Sequence, residues 1–84
     1  MIVFAKGSVA RQDEVAPHVD EEMRVAGELK AEGVIRAAYR RAAGPGVYLI
    51  LEGSNIDAVR GRLDTLPFVV AGLMTLDYDE IYEI

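Results

Sequence analysis

The stretch Val34-Ile-Arg-Ala-Ala-Tyr-Arg-Arg-Ala-Ala-Gly-Pro-Gly-Val-Tyr-Leu-Ile-Leu51 decides the fold. Its central Gly44-Pro45-Gly46 segment indicates a turn. Val47 to Leu51 is β-branched, aromatic or aliphatic throughout, which predicts the strongest strand of the chain. Val34 to Ala42 mixes arginines and a tyrosine with small apolar residues, which predicts a strand with one partly polar face. The two strands and the turn therefore predict a β-hairpin at the centre of the sequence.

A strand and a helix are predicted before this hairpin. Met1 to Ala5 is a short run of β-forming residues and predicts a strand. From Glu14 to Glu32 apolar residues recur every three or four positions, which is one face of a helix. Pro17 suits the first turn of that helix, and Gly33 suits its end. The apolar positions are Val15, Val19, Met23, Ala26 and Leu29.

A second helix and a last strand are predicted after the hairpin. Ser54 is a candidate N-cap, with Asp57 completing a variant capping box. Apolar residues follow at helical spacing up to Leu66, and Pro67 is expected to end the helix. Leu73 to Ile84 then alternates between apolar and polar residues, which predicts a final strand.

The order of elements is thus β-α-β-β-α-β, in a single domain over residues 1–84. Right-handed crossovers give one antiparallel sheet in the order 4-1-3-2 with both helices on one face, an α+β, ferredoxin-like fold. The strands are apolar on both faces, for example at Ile2 and Phe4 against Val3 and Ala5. A sheet with two apolar faces must be covered on both. We therefore expect a second copy to cover the face without helices, in a homodimer or a higher homo-oligomer.

Composition narrows the classes of function. The 84 residues include no cysteine, which excludes a disulfide, a thiolate nucleophile and a zinc–cysteine site. The net charge of −5 disfavours a nucleic-acid partner. No apolar run approaches the ~20 residues of a membrane span, and no signal peptide is recognisable, so we expect a cytoplasmic protein with no membrane contact.

Several motifs resemble the muconolactone isomerase-like and YCII-related proteins. They are Glu28-Leu29 followed by Gly33, the strand with Arg36 and Tyr39, Glu52-Gly53-Ser54, and Leu63-Asp-Thr-Leu66-Pro67-Phe68. The likeness covers nearly the whole chain. It implies a ferredoxin-like subunit whose sheet pairs with that of a second subunit in a dimeric α+β barrel. It also implies an isomerase without a cofactor.

His18 is the one residue whose unperturbed pKa lies near neutrality. On a helix it would lie one turn from Glu14 and from Glu22, so it could shuttle protons beside a carboxylate. The alternative is a solvated histidine on the helix surface with ordinary pairing to its neighbours. One histidine among scattered acids does not predict a metal site.

The hairpin carries the other candidates. Arg36 and Arg40 have the same parity, so they are expected on one face, with Tyr39 and Tyr48 nearby. They could bind the anionic group of a small molecule, with a tyrosine hydroxyl as donor or acid. Alternatively, the arginines pair with acidic residues across a dimer seam.

Glu52 ends the strongest strand and could be a buried carboxylate that acts as a base, or a strand-end charge that limits aggregation. The combined hypothesis is proton transfer on a small acidic or lactone-like molecule. Arg36, Arg40 and Tyr48 would bind it, and Tyr39, Glu52 or His18 would move the proton. The alternative is a non-catalytic binding or accessory module. Neither needs a metal or a cofactor.

Overall fold

The computed structural model describes all 84 residues, Met1–Ile84, and confirms the predicted order of elements. The strands are β1 (Ile2–Val9), β2 (Ile35–Arg40), β3 (Gly46–Glu52) and β4 (Met74–Ile81). The α-helices are α1 (Val19–Ala31), α2 (Ile56–Leu63) and the short α3 (Pro67–Val70). The sheet is antiparallel throughout in the order β2-β3-β1-β4, which is the predicted 4-1-3-2 read from the other edge.

One face of the sheet holds the hydrophobic core. Val3 and Ala5 of β1 and Leu49 and Leu51 of β3 point to the same face and are almost completely buried. The helices cover this face and add further buried side chains, Leu29, Val59, Leu63 and Leu66. Each such large aliphatic side chain stabilises the fold by about 1.5–3 kcal/mol relative to its exposed state.

The opposite face, here called the open face, has no helix over it. Ile2, Phe4, Tyr48 and Ile50 lie on it and are only half-buried. The Phe4 and Tyr48 rings stack with centroids 5.6 Å apart. The sheet is therefore apolar on both faces, as the sequence predicted, but the chain itself covers only one of them.

Helix α1 begins later than the periodicity predicted. Two 3-10 turns, Gln12–Glu14 and Ala16–His18, precede it, and Pro17 lies in the second turn. Pro17 has no N–H to bond to the Asp13 carbonyl, so a regular α-helix cannot run through from Glu14, and it begins at Val19. Gly33 ends the helix as predicted, because its positive φ of 80° lets the N–H groups of Gly33 and Val34 bond back to Lys30 and Leu29.

Two predictions for the second helix were wrong. The N-cap is Asn55 and not Ser54, since the Asn55 side chain accepts a hydrogen bond of 2.8 Å from the backbone N–H of Ala58. Pro67 does not end α2, which already stops at Leu63; it begins α3 instead. Proline is common both just after the end of a helix and at the first position of the next helix. The position of Pro67 in the sequence therefore does not distinguish the end of α2 from the start of α3.

A β-bulge interrupts the β2–β3 hairpin. Ile35 lies opposite Leu51, but Ala37 already lies opposite Ile50, so Arg36 is the extra residue. A bulge shifts the side-chain alternation beyond it by one residue. The expectation that Arg36 and Arg40 share a face was therefore wrong.

No helix is long and apolar enough to cross a bilayer. The longest, α1, has 13 residues.

We expect Asn55→Ala to lower the free energy of unfolding by about 1 kcal/mol, because the Ala58 N–H loses its partner at the start of α2. The matched control Ser54→Ala should change it by less than about 0.5 kcal/mol. Urea denaturation followed by circular dichroism measures both. A larger loss for Ser54→Ala would contradict the capping geometry.

Candidate functional site

The principal cavity lies between α1 and the β2–β3 half of the sheet, with a volume of about 800 Å³. This is within the range of about 300–1,000 Å³ that small-molecule sites occupy. Its lining is mostly apolar and comes from α1, the preceding 3-10 turns, the hairpin and the region around α3. The four charged or amide side chains in the lining are Gln12, Glu22, Lys30 and Arg40.

Local sequence explains this lining. Val19, Met23, Ala26 and Lys30 recur every three or four residues, so α1 presents them to one side. Val47 and Leu49 are two residues apart on β3, so both side chains point to the same face and lie across the cavity from α1. The wall includes Gly44-Pro45-Gly46, the turn of the hairpin, whose glycines have no side chains to fill the space.

Glu22 is the acidic group of this cavity. Its carboxylate accepts a hydrogen bond of 2.9 Å from the backbone N–H of Phe68 in the first turn of α3. Burial raises the pKa of Glu22 above its ordinary value, and the Phe68 hydrogen bond partly opposes the rise. A carboxyl group with a raised pKa beside an apolar cavity is suited to general acid–base chemistry.

Arg40 is the one predicted site residue that lines the cavity. It lies opposite Val47 in the hairpin, and both residues face the cavity because of the bulge at Arg36. No carboxylate pairs with its guanidinium. Arg40 is thus free to bind an anionic group of a ligand.

Arg36 and Glu52 lie elsewhere. Glu52 is opposite Ile2 on the open face, and Arg36 donates a hydrogen bond to its carboxylate in an ion pair. Both side chains are about half exposed. The pair connects neighbouring strands at the edge of the sheet, away from the cavity.

Tyr39 and Tyr48 also lie on the open face, opposite each other in the hairpin. Tyr48 packs between the Phe4 ring and the guanidinium of Arg41, which lies 5.6 Å from the Tyr48 ring centre. Tyr39 is 62% exposed. A second surface would have to cover the open face before either hydroxyl could act in an enclosed site.

His18 ends the second 3-10 turn and does not line the cavity. Its imidazole makes no hydrogen bond or ion pair, so neither Glu14 nor Glu22 orients it. No three side chains among the histidine and the acidic residues converge closely enough to hold a metal ion.

Tyr78 is a further perturbed group, outside the cavity. Burial raises its pKa to about 12; the Asp64 carboxylate adds to the rise, and the Arg60 guanidinium opposes it. Arg60 lies 5.2 Å from the Tyr78 ring centre, between α2 and β4. This tyrosine therefore remains protonated at neutral pH.

Sequence reasoning did not select Glu22 as a site residue. The signal was present, because Glu22 falls three residues after Val19 and four before Ala26, on the apolar side of α1. An acidic residue on such a face is the exception that marks a candidate site. The sequence pattern around it indicates only a neighbour of His18.

Two solved structures resemble the chain closely, although no family model and no curated protein matches its sequence. Muconolactone isomerase superposes with a TM-score of 0.81 at 20% identity over 100% of this chain and 91% of that one. The 5-chloro-2-hydroxyhydroquinone dehydrochlorinase of Burkholderia phenoliruptrix AC1100, in complex with 2,5-dihydroxybenzoquinone, superposes with 0.80 at 19% identity over 98% and 94%.

The chain has the fold of the muconolactone isomerase-like proteins. This confirms the resemblance found in the sequence for that group, and the superposition spans nearly the whole of each chain. At such low identity the likeness establishes the fold alone. The resemblance to YCII-related proteins stays a prediction.

Glu22→Gln should stabilise the protein at neutral pH. Folding raises the pKa of Glu22, so the folded state favours the protonated carboxyl group. The stability that this carboxyl group contributes is fully present in acid and is lost as the pH rises through the raised pKa. Glutamine keeps an oxygen for the Phe68 N–H and carries no charge. The variant's gain in melting temperature over the native protein should therefore grow between about pH 4 and pH 7.5.

Glu21→Gln is the matched control, since the exposed Glu21 carboxylate is ion-paired with Arg24 on the outer side of α1. That variant should show no gain at neutral pH. Thermal unfolding by circular dichroism in a series of buffers measures both variants. A pH-independent effect of Glu22→Gln would contradict the burial of its charge.

Proposed function

We propose that the cavity binds a small acidic or lactone-like organic molecule and that the protein catalyses a cofactor-independent proton transfer on it, as an isomerase does. The observation that carries the proposal is the half-buried Glu22 carboxyl group, held by the Phe68 N–H in an apolar cavity. Arg40 supplies the positive charge in the same cavity.

The arrangement supports a simple mechanism. Arg40 would bind the anionic group of the substrate by a charge-assisted hydrogen bond. Glu22 would remove a proton from a carbon next to a carbonyl group and return it at another carbon. The Phe68 N–H fixes one carboxylate oxygen, which leaves the other free for the proton. The apolar lining keeps water from competing for it.

The similar structures support a substrate of this class. One is named for the isomerisation of a lactone, and the other for loss of hydrogen chloride from a chlorinated, hydroxylated ring. The second contains an oxygenated six-membered ring as its ligand. Both names describe small oxygen-rich rings, and in both reactions a proton must move.

The cavity favours Glu22 over the three residues that the sequence proposed for proton transfer. Tyr39 and Glu52 lie on the open face, and His18 lies outside the cavity lining. Their catalytic roles stay predictions, and for Tyr39 and Glu52 they require a site formed on the open face.

The second candidate function is a binding or accessory module without catalysis. A pair of titratable groups with pKa values pushed apart is the usual mark of an acid–base site. In this cavity Glu22 is the one carboxyl group, and neither a histidine nor a tyrosine lines it. Binding of a ligand requires no second titratable group beside Glu22, so this observation favours the binding module over an enzyme.

We also propose that the protein is a homodimer in which the open faces meet. The half-buried Ile2, Phe4, Tyr48 and Ile50 would lose contact with water in such a pair. Acidic residues of β4 and its tail could lie beside the basic edge at β2 of the partner. These acids are Asp77, Asp79, Glu80 and Glu83, and the basic residues are Arg36 and Arg41, since Arg40 faces the cavity on the other side of the sheet.

The function is tested with two probes. Calorimetry measures the binding of 2,5-dihydroxybenzoquinone, and proton NMR in D2O measures the isomerisation of muconolactone. Glu22→Gln should lower the rate by a factor of about 10² to 10⁴ with little change in affinity. Arg40→Gln should weaken binding about tenfold or more, as the loss of a charge-assisted hydrogen bond does.

Arg36→Gln is the control, because Arg36 is a half-exposed arginine of the same strand that lies away from the cavity. It should leave rate and affinity unchanged. Binding of the quinone without any turnover of either probe would favour the binding module. Full turnover by Glu22→Gln would refute the proposed base.

Light scattering should report twice the subunit mass of 9.2 kDa at micromolar concentration. Ile50→Glu, which puts a charge on the open face, should abolish the dimer. Val70→Glu is the control, since Val70 is 73% exposed on α3, and it should stay dimeric. A stable native monomer of 9.2 kDa would refute the pairing.

A further inference from the structure

We propose that the ligand of the cavity is elongated and carries an anionic group at each end with an apolar part between them. This rests on the proposed function, because it names the class of molecule that the same cavity would take.

The length of the cavity exceeds that of a single ring. Its lining follows α1 from Val19 to Lys30, about three turns or ~16 Å of helix at 1.5 Å per residue. A six-membered ring with a few oxygens has roughly the bulk of five water molecules, or ~150 Å³ at ~30 Å³ each. The cavity of about 800 Å³ therefore has room for a considerably longer molecule.

The middle of the cavity is apolar. Ala26 of α1, Ala38 of β2 and Leu49 of β3 line it, and their side chains offer no hydrogen-bonding group. Met23 borders it from α1 and is 68% exposed, so the apolar surface extends to the mouth. Methylene or ring carbons would be favoured along this stretch.

A cation lies towards each end. Lys30 is in the last turn of α1, just before the chain enters β2 at Ile35, and Arg40 ends β2. Ile35 and Arg40 are separated by about 16 Å of strand at 3.3 Å per residue. Both Lys30 and Arg40 line the cavity.

These two cations are also unpaired. Five of the nine basic side chains form ion pairs with carboxylates, namely Arg11, Arg24, Arg36, Arg60 and Arg62. The other four, Lys6, Lys30, Arg40 and Arg41, form none, and of these only Lys30 and Arg40 line the cavity. Two free cations facing one apolar cavity match a molecule with two separated negative charges.

Straight-chain acids test this directly by isothermal titration calorimetry. The probes are decanoate and the diacids hexanedioate, octanedioate and decanedioate. The best diacid should bind about fivefold more tightly than decanoate, because its second carboxylate adds one partly exposed ion pair. Lys30→Met should remove this preference and leave decanoate binding unchanged.

Lys6→Met is the matched control, since Lys6 is the only other lysine and lies exposed on the open face. It should keep the preference for the diacid. A preference of about twofold or less, which the two orientations of a symmetrical diacid give by themselves, overturns the inference. So does a preference that survives Lys30→Met.

The same titrations separate this inference from the proposed function. If 2,5-dihydroxybenzoquinone binds and Arg40→Gln weakens this binding, while the diacids bind no more tightly than decanoate, only the inference of a ligand with two anionic ends is wrong. If neither the quinone nor any acid binds, the proposed function is wrong as well.

Discussion

The central strands β1 and β3 are apolar on both faces, and the chain has helices for only one of them. The rest of the structure depends on this constraint. The covered face fixes the register of the strands, because a slip by one residue would turn Leu49 and Leu51 away from the helices and bury Tyr48 and Glu52 in their place. On the open face Phe4 and Tyr48 stack on each other and are half-buried. The fold thus leaves one apolar surface without helices over it and builds its cavity on the other.

The cavity arises because the two long helices cover the sheet unequally. Helix α2 contributes the fully buried Val59 and Leu63, which fill the space over their part of the sheet. Helix α1 faces β2 and β3 with the small Ala26 and the polar Glu22, and buries only Leu29 completely. Protein interiors are normally packed without voids of this size. The small and polar residues of α1 therefore leave a cavity where a larger apolar side chain would extend the core.

Sequence patterns predicted the fold well because periodicity and turn residues act locally. The Gly-Pro-Gly turn, the helical spacing before Gly33 and the alternation in the last strand were each sufficient for one element. The site was harder, because strict alternation placed Arg36 and Arg40 on one face. A single extra residue at the bulge separates them, and the sequence around Arg36 has no glycine to signal it. Glu22 lies on the apolar side of α1 by its spacing, but its hydrogen bond to Phe68 joins residues 46 positions apart and leaves no local pattern.

Glu22 has a charge that folding alone does not explain. Its contact with the Phe68 N–H stabilises the start of α3, but an uncharged glutamine oxygen could accept the same hydrogen bond. Half-burial of a carboxylate disfavours its charged form, so the native residue is the less stable choice at neutral pH. Residues that reduce stability in this way are concentrated at functional sites, where a group must be reactive as well as compatible with the fold. In this chain the argument applies to the one acidic side chain that lines the cavity, on the wall opposite the unpaired Arg40. Helix α1 therefore gives up apolar packing against the sheet at Glu22, where it places a carboxyl group in the cavity instead.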